Sequence, residues 1–264
     1  MDNEVERFPM LRLTEESERS IEDVLAREFP LTIILNNQEL VTLLCSPKDI
    51  NYLAVGFLFS EGLLGNKDEI KKITVDNERG VVRLETVEDK EFASELLFKR
   101  FITSGCGRGA SFYSAADVQA LIKVESQIGI SALGVLALVK EFQHCSQIYR
   151  ATGGVHSAAL CDRKSMLVFS EDIGRHNAID KIFGKCLLED IPTDEHMIIT
   201  SGRISSEILH KVAKRGIPII ISISAPTNLG VRIADNLGIT LISSVRGKRM
   251  NVCTNDWRIV TGGE

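Results

Sequence analysis

The chain has 264 residues, of which 44% are hydrophobic and 25% are charged, so it is long enough to bury one large core or two modest ones and its composition is that of a globular protein. Its formal net charge is -5 at pH 7, which disfavours non-specific binding to nucleic acid and implies that a polyanionic ligand must meet a local basic cluster. No apolar run approaches the roughly 18 residues of a membrane span, and the acidic N-terminus lacks a signal-peptide core, so we expect a cytoplasmic protein with no membrane contact.

The first third of the chain is expected to be rich in β-structure. Polar and charged residues dominate residues 1–23, and we expect a loose arm there. The apolar runs 31–35 and 40–44 are joined through Asn36 and Asn37. Because asparagine tolerates positive φ, these two runs are predicted to form a β-hairpin.

A helix and a second hairpin are predicted next. Ser46 and Pro47 have the residue types of a helix N-cap and first helical position, and apolar residues follow at helical spacing over residues 50–58. Residues 70–75 and 81–84 are two apolar stretches joined by a turn that ends in glycine.

The remainder of the chain alternates helices and strands. Helices are expected at residues 114–129, 133–145, 177–188, 205–214 and 227–237. Strands are expected at residues 158–161 and 166–170, which form a hairpin, and at residues 197–200, 217–224, 239–245 and 250–253. This alternation predicts a mainly parallel sheet with helices on both faces, and such sheets bind ligands at the carboxyl ends of their strands.

One of the six cysteines has a setting that favours reactivity. The six are scattered without a CxxC pair or a zinc-binding spacing, and most are expected to be small buried thiols: Cys45, Cys106, Cys145, Cys161, Cys186 and Cys253. Cys106 lies between Gly105 and Gly107 and is followed by Arg108, which leaves its sulfur unshielded and favours the thiolate. A flexible linker that happens to contain cysteine is the alternative interpretation.

Polar turns follow several of the predicted C-terminal strands. The segments 171–177, 200–206 and 224–228 combine hydroxyls, amides and cations, and His156 follows two glycines in TGGVHS. The turn at residues 243–250 places three cations around one glycine, which suits phosphate. Together these turns predict a site for a nucleotide-like ligand at one edge of the sheet, whereas helix capping and solvated turns are the alternatives.

The turn at residues 171–177 carries more polar groups than a strand-to-helix connection needs, since Asp172 or Asn177 alone could cap the helix that follows. Asp180 and Lys181, just beyond this turn, are expected on the solvated face of that helix.

These stretches resemble the FdhD family, the sulfur carriers required for formate dehydrogenase activity. The matching stretches are SGCG from Ser104, TGGVHSAAL from Thr152, EDIGRHNAIDKIFG from Glu171, TSGRISSEI from Thr200, SAPTNLG from Ser224 and VRGKRMNV from Val245. They occur in family order and cover most of the chain beyond residue 100, and the EDIGRHNAIDK string alone is highly specific.

The resemblance implies a sulfurtransferase that accepts sulfur from a cysteine desulfurase as a persulfide on Cys106. It further implies transfer of that sulfur to the bis(molybdopterin guanine dinucleotide) form of the molybdenum cofactor before insertion into formate dehydrogenase. The segment implied to contact the guanine dinucleotide consists of Ser244, Val245, Arg246, Gly247, Lys248, Arg249 and Met250. A homodimer is also implied.

The implied architecture is α/β with two domains. Residues 1–113 would form a small sheet-rich α+β domain that ends in the Cys106 loop, and residues 114–264 would form an α/β/α sandwich similar to the cytidine deaminase fold. Deamination itself is not implied, because the chain has His156-Ser157-Ala158 in place of HxE and lacks PCxxC, so we expect no protein-bound metal.

One position departs from the family pattern. The usual loop reads CGxCG, and here its second cysteine is Gly109, which removes the local thiol pair but keeps the first cysteine. A non-enzymatic chaperone that binds the molybdenum cofactor is therefore the main alternative to a sulfurtransferase, and uptake of labelled sulfur by Cys106 discriminates between them. An orphan nucleotide deaminase is a weaker alternative that a zinc assay would test.

Overall fold

A computed structural model of the chain describes residues 3–88, 101–102, 110–111 and 123–260. The Cys106 loop lies outside the described residues, as do residues 112–122, which include the first part of the helix predicted at residues 114–129. The predicted domain boundary between residues 113 and 114 also falls in that gap and stays a prediction.

Strands dominate the described residues of the first half of the chain, and strands alternate with helices between residues 166 and 246. The strands are β1 Val5–Leu13, β2 Glu18–Ala26, β3 Phe29–Leu35, β4 Gln38–Cys45, β5 Ile70–Asp76, β6 Val81–Thr86, β7 Phe101–Ile102, β8 Ala110–Ser111, β9 Ile130–Ser131, β10 His156–Cys161, β11 Met166–Asp172, β12 Met197–Thr200, β13 Ile219–Ser222, β14 Thr240–Arg246, β15 Arg249–Thr254 and β16 Ile259–Val260. The helices are α1 Ile50–Ser60, α2 Ala132–Cys145, α3 Gln147–Thr152, α4 Arg175–Leu188, α5 Ser206–Ala213 and α6 Asn228–Asn236, with 3-10 turns at Lys67–Glu69 and Asp256–Arg258.

The N-terminal segment forms a hairpin, so the prediction of a loose arm is wrong. Strands β1 and β2 pair antiparallel over their full length, from Val5 opposite Ala26 to Leu13 opposite Glu18. The many charges that suggested an arm are accommodated on exposed faces of this ladder, where Arg12 pairs with Asp23 across the strands at 2.8 Å.

A four-stranded sheet with the order β4-β3-β6-β5 follows, and it confirms both predicted hairpins. Asn36 and Asn37 adopt positive φ values of 45° and 64°, the conformation that the tight turn between β3 and β4 requires. The predicted helix start is wrong: α1 begins at Ile50, after Asp49 in a left-handed conformation, because Ser46 bonds to a distant turn instead of capping the helix.

The second sheet has the order β11-β10-β12-β13-β14-β15 and is mixed rather than mainly parallel. The neighbouring pairs β12–β13 and β13–β14 are parallel, while the other three pairs are antiparallel, since β10 and β15 run opposite to the other four strands. The reason is that β10–β11 and β14–β15 are hairpins, in which the chain returns through a short turn without a helical crossover. Residues 123–129 also differ from the predicted helix: they form no regular secondary structure, and the buried Arg258 guanidinium binds the carbonyl oxygens of Val124 and Ser126.

Helices cover both faces of this sheet, which confirms the predicted α/β/α layering. Alternate residues along each central strand enter two different hydrophobic clusters: Leu160 faces the cluster shared with α4 and α5, and Ala159 faces the cluster with α2. Among the described helices, none is long and apolar enough to cross a membrane.

The N-terminal sheet-rich part packs on the C-terminal sheet through a close contact of α1 with α4. A Cβ atom on Gly56 would lie 1.8 Å from the Asp180 carbonyl oxygen, and one on Gly184 would lie 1.9 Å from the Tyr52 carbonyl oxygen. The two helices therefore approach backbone to backbone, and only glycine fits at these two positions. One hydrophobic cluster contains residues of both parts, so their cores are continuous.

Candidate functional site

The turns that carry polar residues gather at one edge of the six-stranded sheet, which we call the rim. Thr200 at the end of β12 lies opposite Ala158 near the start of β10 and opposite Ser222 at the end of β13. Asp172 at the end of β11 lies opposite His156, and Ser244 N–H donates to the Ser224 carbonyl oxygen at 3.0 Å. The structure thus brings the predicted turns together, as expected for strands whose carboxyl ends share an edge.

His156 is held against the β12 turn. Its Nδ1 lies 3.2 Å from Ser201 Oγ, which also accepts a hydrogen bond from Ser157 N–H at 2.9 Å. Burial, supported by the nearby positive charges of Arg175, His176 and Arg203, lowers the pKa of His156. The ring is therefore neutral near pH 7, with one nitrogen committed to Ser201.

The starts of α4 and α5 meet beside this histidine. His176 Nε2 lies 2.9 Å from Glu207 Oε2, and a Cβ on Gly202 would lie 2.7 Å from Cβ of Arg175, so Arg175 packs directly over the β12 turn. Burial lowers the pKa of His176 although its hydrogen bond to Glu207 acts in the opposite direction. Glu207 is not recognisable as a site residue from the sequence, since a lone acidic residue in a first helical turn indicates a favourable interaction with the helix dipole rather than a site.

Asp172 is a structural residue at the centre of the 171–177 turn. Its carboxylate is fully buried and accepts hydrogen bonds from the N–H groups of Gly174 and Ser46 and from Asn177 Nδ2, at 2.9–3.0 Å. Lys181 Nζ lies 2.7 Å from the same carboxylate. The turn is thereby tied to the chain at Ser46, 126 residues earlier in the sequence.

The prediction that Asp180 and Lys181 lie on a solvated helix face is wrong, because each is only 1% exposed. Asp180 accepts a hydrogen bond from Ser60 Oγ at 2.6 Å and forms an ion pair with Lys211 at 2.5 Å. Helix α4 is sandwiched between α1 and the sheet, so the polar positions on these faces are paired internally. Most of the EDIGRHNAIDKIFG string therefore holds the two parts of the molecule together.

The segment predicted to contact a guanine dinucleotide lies at the β14–β15 turn. Ser244 has a positive φ of 52° and is bonded to the Ser224 turn, so the segment is anchored to the rim. Arg246, Lys248 and Arg249 are exposed, and no ion pair or hydrogen bond within the described ranges engages their side chains. Three unpaired cations on one short turn provide a local positive field on an acidic protein.

Four of the five cysteines within the described residues have raised pKa values, which suppress thiolate formation, and the fifth is half-buried. Burial raises the pKa values of Cys45, Cys161 and Cys186 to about 12. Burial also raises the pKa of Cys145, at the end of α2. Cys253 is half-buried, with its Sγ 3.3 Å from Ser243 Oγ.

Cys106 itself lies outside the described residues. The strands nearest to it in sequence, β7 and β8, pair antiparallel, with Phe101 opposite Ser111 and Ile102 opposite Ala110. No group of three or more His, Cys, Asp or Glu side chains that could hold a metal ion occurs in the described part of the chain.

Comparison with solved structures first defines the class of fold. The chain is similar to a protein from Desulfotalea psychrophila whose crystal structure is described as that of a formate dehydrogenase accessory protein, with a TM-score of 0.83 and 25% sequence identity over 97% of this chain and 100% of the other. The α/β architecture with its sheet-rich parts is thus shared along the whole chain, while the expected likeness to the cytidine deaminase fold stays a prediction.

The sequence comparisons then give the family. A family model described as FdhD/NarQ matches residues 26–260. The chain is 46% identical to a protein of Bacillus pumilus named Sulfur carrier protein FdhD over 90% of each chain, and 37% identical to a Staphylococcus aureus protein of the same name over 96% of this chain and 95% of the other. The chain belongs to the FdhD/NarQ family, which confirms the resemblance found in the motifs.

Proposed function

We propose that the chain is a sulfur carrier that takes sulfur from a cysteine desulfurase as a persulfide on Cys106 and delivers it to the molybdenum cofactor, in its bis(molybdopterin guanine dinucleotide) form, before insertion into formate dehydrogenase. The names of the relatives support the general role. The structural neighbour, described as a formate dehydrogenase accessory protein, supports the link to that enzyme. A reducing cytoplasm, where thiols persist, is the compartment we propose.

The observation that carries the choice of Cys106 is the burial of three of the other five thiols, Cys45, Cys161 and Cys186. At neutral pH a thiol with a pKa of about 12 is almost entirely protonated, so Cys45, Cys161 and Cys186 are unsuited to attack a persulfide. Cys106 combines flanking glycines with the neighbouring Arg108, the setting that favours a thiolate.

The proposed loading step is an exchange without net oxidation. The Cys106 thiolate attacks the outer sulfur of the desulfurase persulfide, the S–S bond on the desulfurase breaks, and its cysteine leaves as a thiolate while the new S–S bond forms on Cys106. On delivery Cys106 would leave as a thiolate, and the acceptor would have to supply the two electrons that reduce the transferred sulfur atom to the sulfide level.

The missing second loop cysteine at Gly109 favours transfer by a single thiol. The next two cysteines after this loop in the sequence are Cys145 and Cys161, and burial raises the pKa of both. Cys161 ends β10 and lies roughly 17 Å along the strand from His156 at the rim. The raised pKa values of both thiols favour a persulfide on Cys106 that leaves only to the cofactor or to an external thiol.

The rim supports the cofactor part of the proposal. It combines the exposed cations of Arg246, Lys248 and Arg249 with the turns around Ser201 and Ser224. We propose that Ser244, Val245, Arg246, Gly247, Lys248, Arg249 and Met250 contact the guanine dinucleotide. The same exposed cations also favour the second candidate function, a chaperone that binds the cofactor without carrying sulfur.

Labelled sulfur separates these two functions. The full chain is incubated with a cysteine desulfurase and ³⁵S-cysteine, and we expect Cys106 to gain one labelled sulfur atom in a non-reducing peptide map. The variant Cys106→Ser should lose the label, whereas Cys253→Ser, which alters a half-buried cysteine outside the loop, should keep it. Absence of label from the unaltered chain, with cofactor binding retained, would establish the chaperone instead.

A further inference from the structure

A cavity of about 400 Å³ lies between the two parts of the molecule, away from the rim. The N-terminal part contributes Phe59 at the end of α1 and the 3-10 turn that begins at Lys67, and the C-terminal part contributes the end of α4, the loop that follows it and Arg215. Helix α4 begins at the rim and ends at the cavity, so its 14 residues separate the two by roughly 20 Å. The volume is within the range of small-molecule sites in proteins.

The walls of the cavity are apolar. The thiol of Cys186 lines it, and because burial raises the pKa of Cys186 to about 12, this thiol is neutral and adds to the apolar surface. An apolar group placed in the cavity would be removed from water against the same hydrophobic cluster that joins the two parts. The apolar side chains of the lining are Phe59, Phe183, Leu187, Ile191 and Pro192.

The charged side chains of the lining are balanced, with two of each sign. Lys67 and Asp190 are exposed and form an ion pair that connects the N-terminal part to the loop after α4. The Arg215 guanidinium lies over the ring of Phe59, so its charge is placed against an apolar wall. Asp68 also lines the cavity, and no ion pair or hydrogen bond among the described residues engages its carboxylate.

This balance of charges defines the class of ligand that fits. A ligand with only a negative charge would face the carboxylates of Asp68 and Asp190, and one with only a positive charge would face Lys67 and Arg215. An uncharged apolar ligand would cover the Asp68 carboxylate without giving it a partner. A zwitterion with an apolar side chain satisfies both signs of charge and the apolar walls together.

We propose that this cavity binds a free α-amino acid with a large apolar side chain. The ligand carboxylate pairs with the Arg215 guanidinium, whose planar fork matches a carboxylate, and the ligand ammonium pairs with Asp68. The ligand side chain packs between Phe59 and Phe183. The site is separate from the rim and goes beyond the proposed sulfur-carrier function. Because both parts of the molecule line the cavity, a bound amino acid also stabilises the folded chain.

Ligand analogues test the proposal on the unaltered full chain. We expect calorimetry to show saturable binding of L-phenylalanine or L-leucine. Two analogues of L-phenylalanine each lack one charge: 3-phenylpropanoate has no ammonium, and 2-phenylethylamine has no carboxylate. Each should bind at least about tenfold more weakly than the amino acid, because one charge-assisted hydrogen bond is lost. Free glycine, which has both charges and no side chain, should show no measurable binding.

Variants locate the binding in this cavity. Arg215→Gln and Asp68→Asn should each weaken the binding of the amino acid by about tenfold. The matched control is Arg79→Gln, an exposed arginine beyond the far end of β5, roughly 20 Å from the 3-10 turn, which should leave the affinity unchanged. The double variant Arg246→Gln, Arg249→Gln should also leave it unchanged, since that turn lies at the rim.

Four results would overturn the site. They are an absence of saturable binding for both amino acids, equal affinities for L-phenylalanine and its two analogues, an unchanged affinity in both Arg215→Gln and Asp68→Asn, or a loss confined to the rim variant. Urea unfolding establishes that each variant is folded. If neither cavity variant folds, the analogue series on the unaltered chain decides the ligand class, and displacement of the amino acid by GDP would place it at the rim instead.

Discussion

The 171–184 segment and the 244–250 turn are the two stretches whose residues are most distinctive in the sequence, and the structure gives them opposite environments. In the first, Asp172, Asp180 and Lys181 are buried and each has at least one charged partner within 2.7 Å. In the second, Arg246 and Arg249 are exposed and have no partner among the described residues. A distinctive sequence motif therefore indicates that its residues are constrained, but the motif alone does not distinguish a packing constraint from a ligand-binding constraint.

The difference between the two segments follows from how each can satisfy its polar groups. Buried charges need partners supplied by the fold, and in the first segment these come from α1, α5 and the chain at Ser46. Exposed cations are satisfied by water until a ligand replaces it. Substitutions in the first segment should thus change stability, and substitutions in the second should change binding.

The largest effect is expected at Lys181, and it tests whether the first segment is structural. Lys181→Met leaves the Asp172 carboxylate buried without its cation, which should lower the free energy of unfolding by about 3–5 kcal/mol. Urea denaturation followed by circular dichroism measures this change. Lys185→Met is the matched control, because Lys185 lies on the same helix with 36% side-chain exposure and its pair with Glu189 is 4.0 Å long.

The control should cost no more than about 1 kcal/mol, as expected for an exposed ion pair. Equal and small losses in the two variants would contradict the assignment of the Asp172–Lys181 pair as the link between the turn and the N-terminal part. Such a result would instead indicate that the 171–184 segment is constrained by ligand binding.

A smaller loss of stability is expected at the glycine contact between α1 and α4. Gly184→Ala places a methyl group 1.9 Å from the Tyr52 carbonyl oxygen, so the helices must separate, and we expect a loss of about 3 kcal/mol in the free energy of unfolding. Gly153→Ala is the control: its added Cβ meets nothing within 4 Å, and only its positive φ of 64° opposes the substitution, at a cost of about 1 kcal/mol. A loss at Gly184 no larger than that at Gly153 would show that the helices can move apart freely.

Most elements of the fold were predictable from local patterns. The strand at Met197–Thr200 and the hairpins around Asn36 and residues 162–165 follow from apolar runs bounded by turn residues, and the structure confirms them. The sheet's mixed character was not predictable in the same way, because helix and strand alternation does not reveal which connections are hairpins. The β1–β2 hairpin was missed because its exposed charges conceal the alternation that identifies a strand.

The candidate site was predictable as a set of turns but not as a set of contacts. Polar residues after successive strands indicated the rim, since strand ends on one edge must lie close together. The pairing of His176 with Glu207 and the burial of Asp180 and Lys181 depend on how α4 packs against α1 and α5. Packing of this kind joins residues more than 100 positions apart, such as Ser60 and Asp180, and no local pattern contains it.

The smallest effect on stability is expected in the 244–250 turn. Because its cations are exposed, unlike the buried charges of the 171–184 segment, we expect substitutions there to change binding instead. The double substitution Arg246→Ala, Arg249→Ala removes two exposed side chains without partners among the described residues, so the free energy of unfolding should change by less than about 0.5 kcal/mol. Affinity for GDP, measured by calorimetry on the full chain, should fall at least about tenfold because the two cations proposed to bind its phosphates are lost.

Salt dependence distinguishes these charge contacts from other causes of weak binding. Affinity of the unaltered chain should decrease as ionic strength rises, and the decrease should be shallower in the double variant, because fewer exposed charge pairs remain to be screened. The control is Arg163→Ala with Lys164→Ala, which removes two exposed cations from the β10–β11 turn at the opposite sheet edge and leaves the net charge change the same. If both double variants bind GDP equally well, the 244–250 turn does not contact the nucleotide. An unfolding free energy that drops by several kcal/mol in Arg246→Ala, Arg249→Ala would instead show that this turn, like the 171–184 segment, is constrained by the fold.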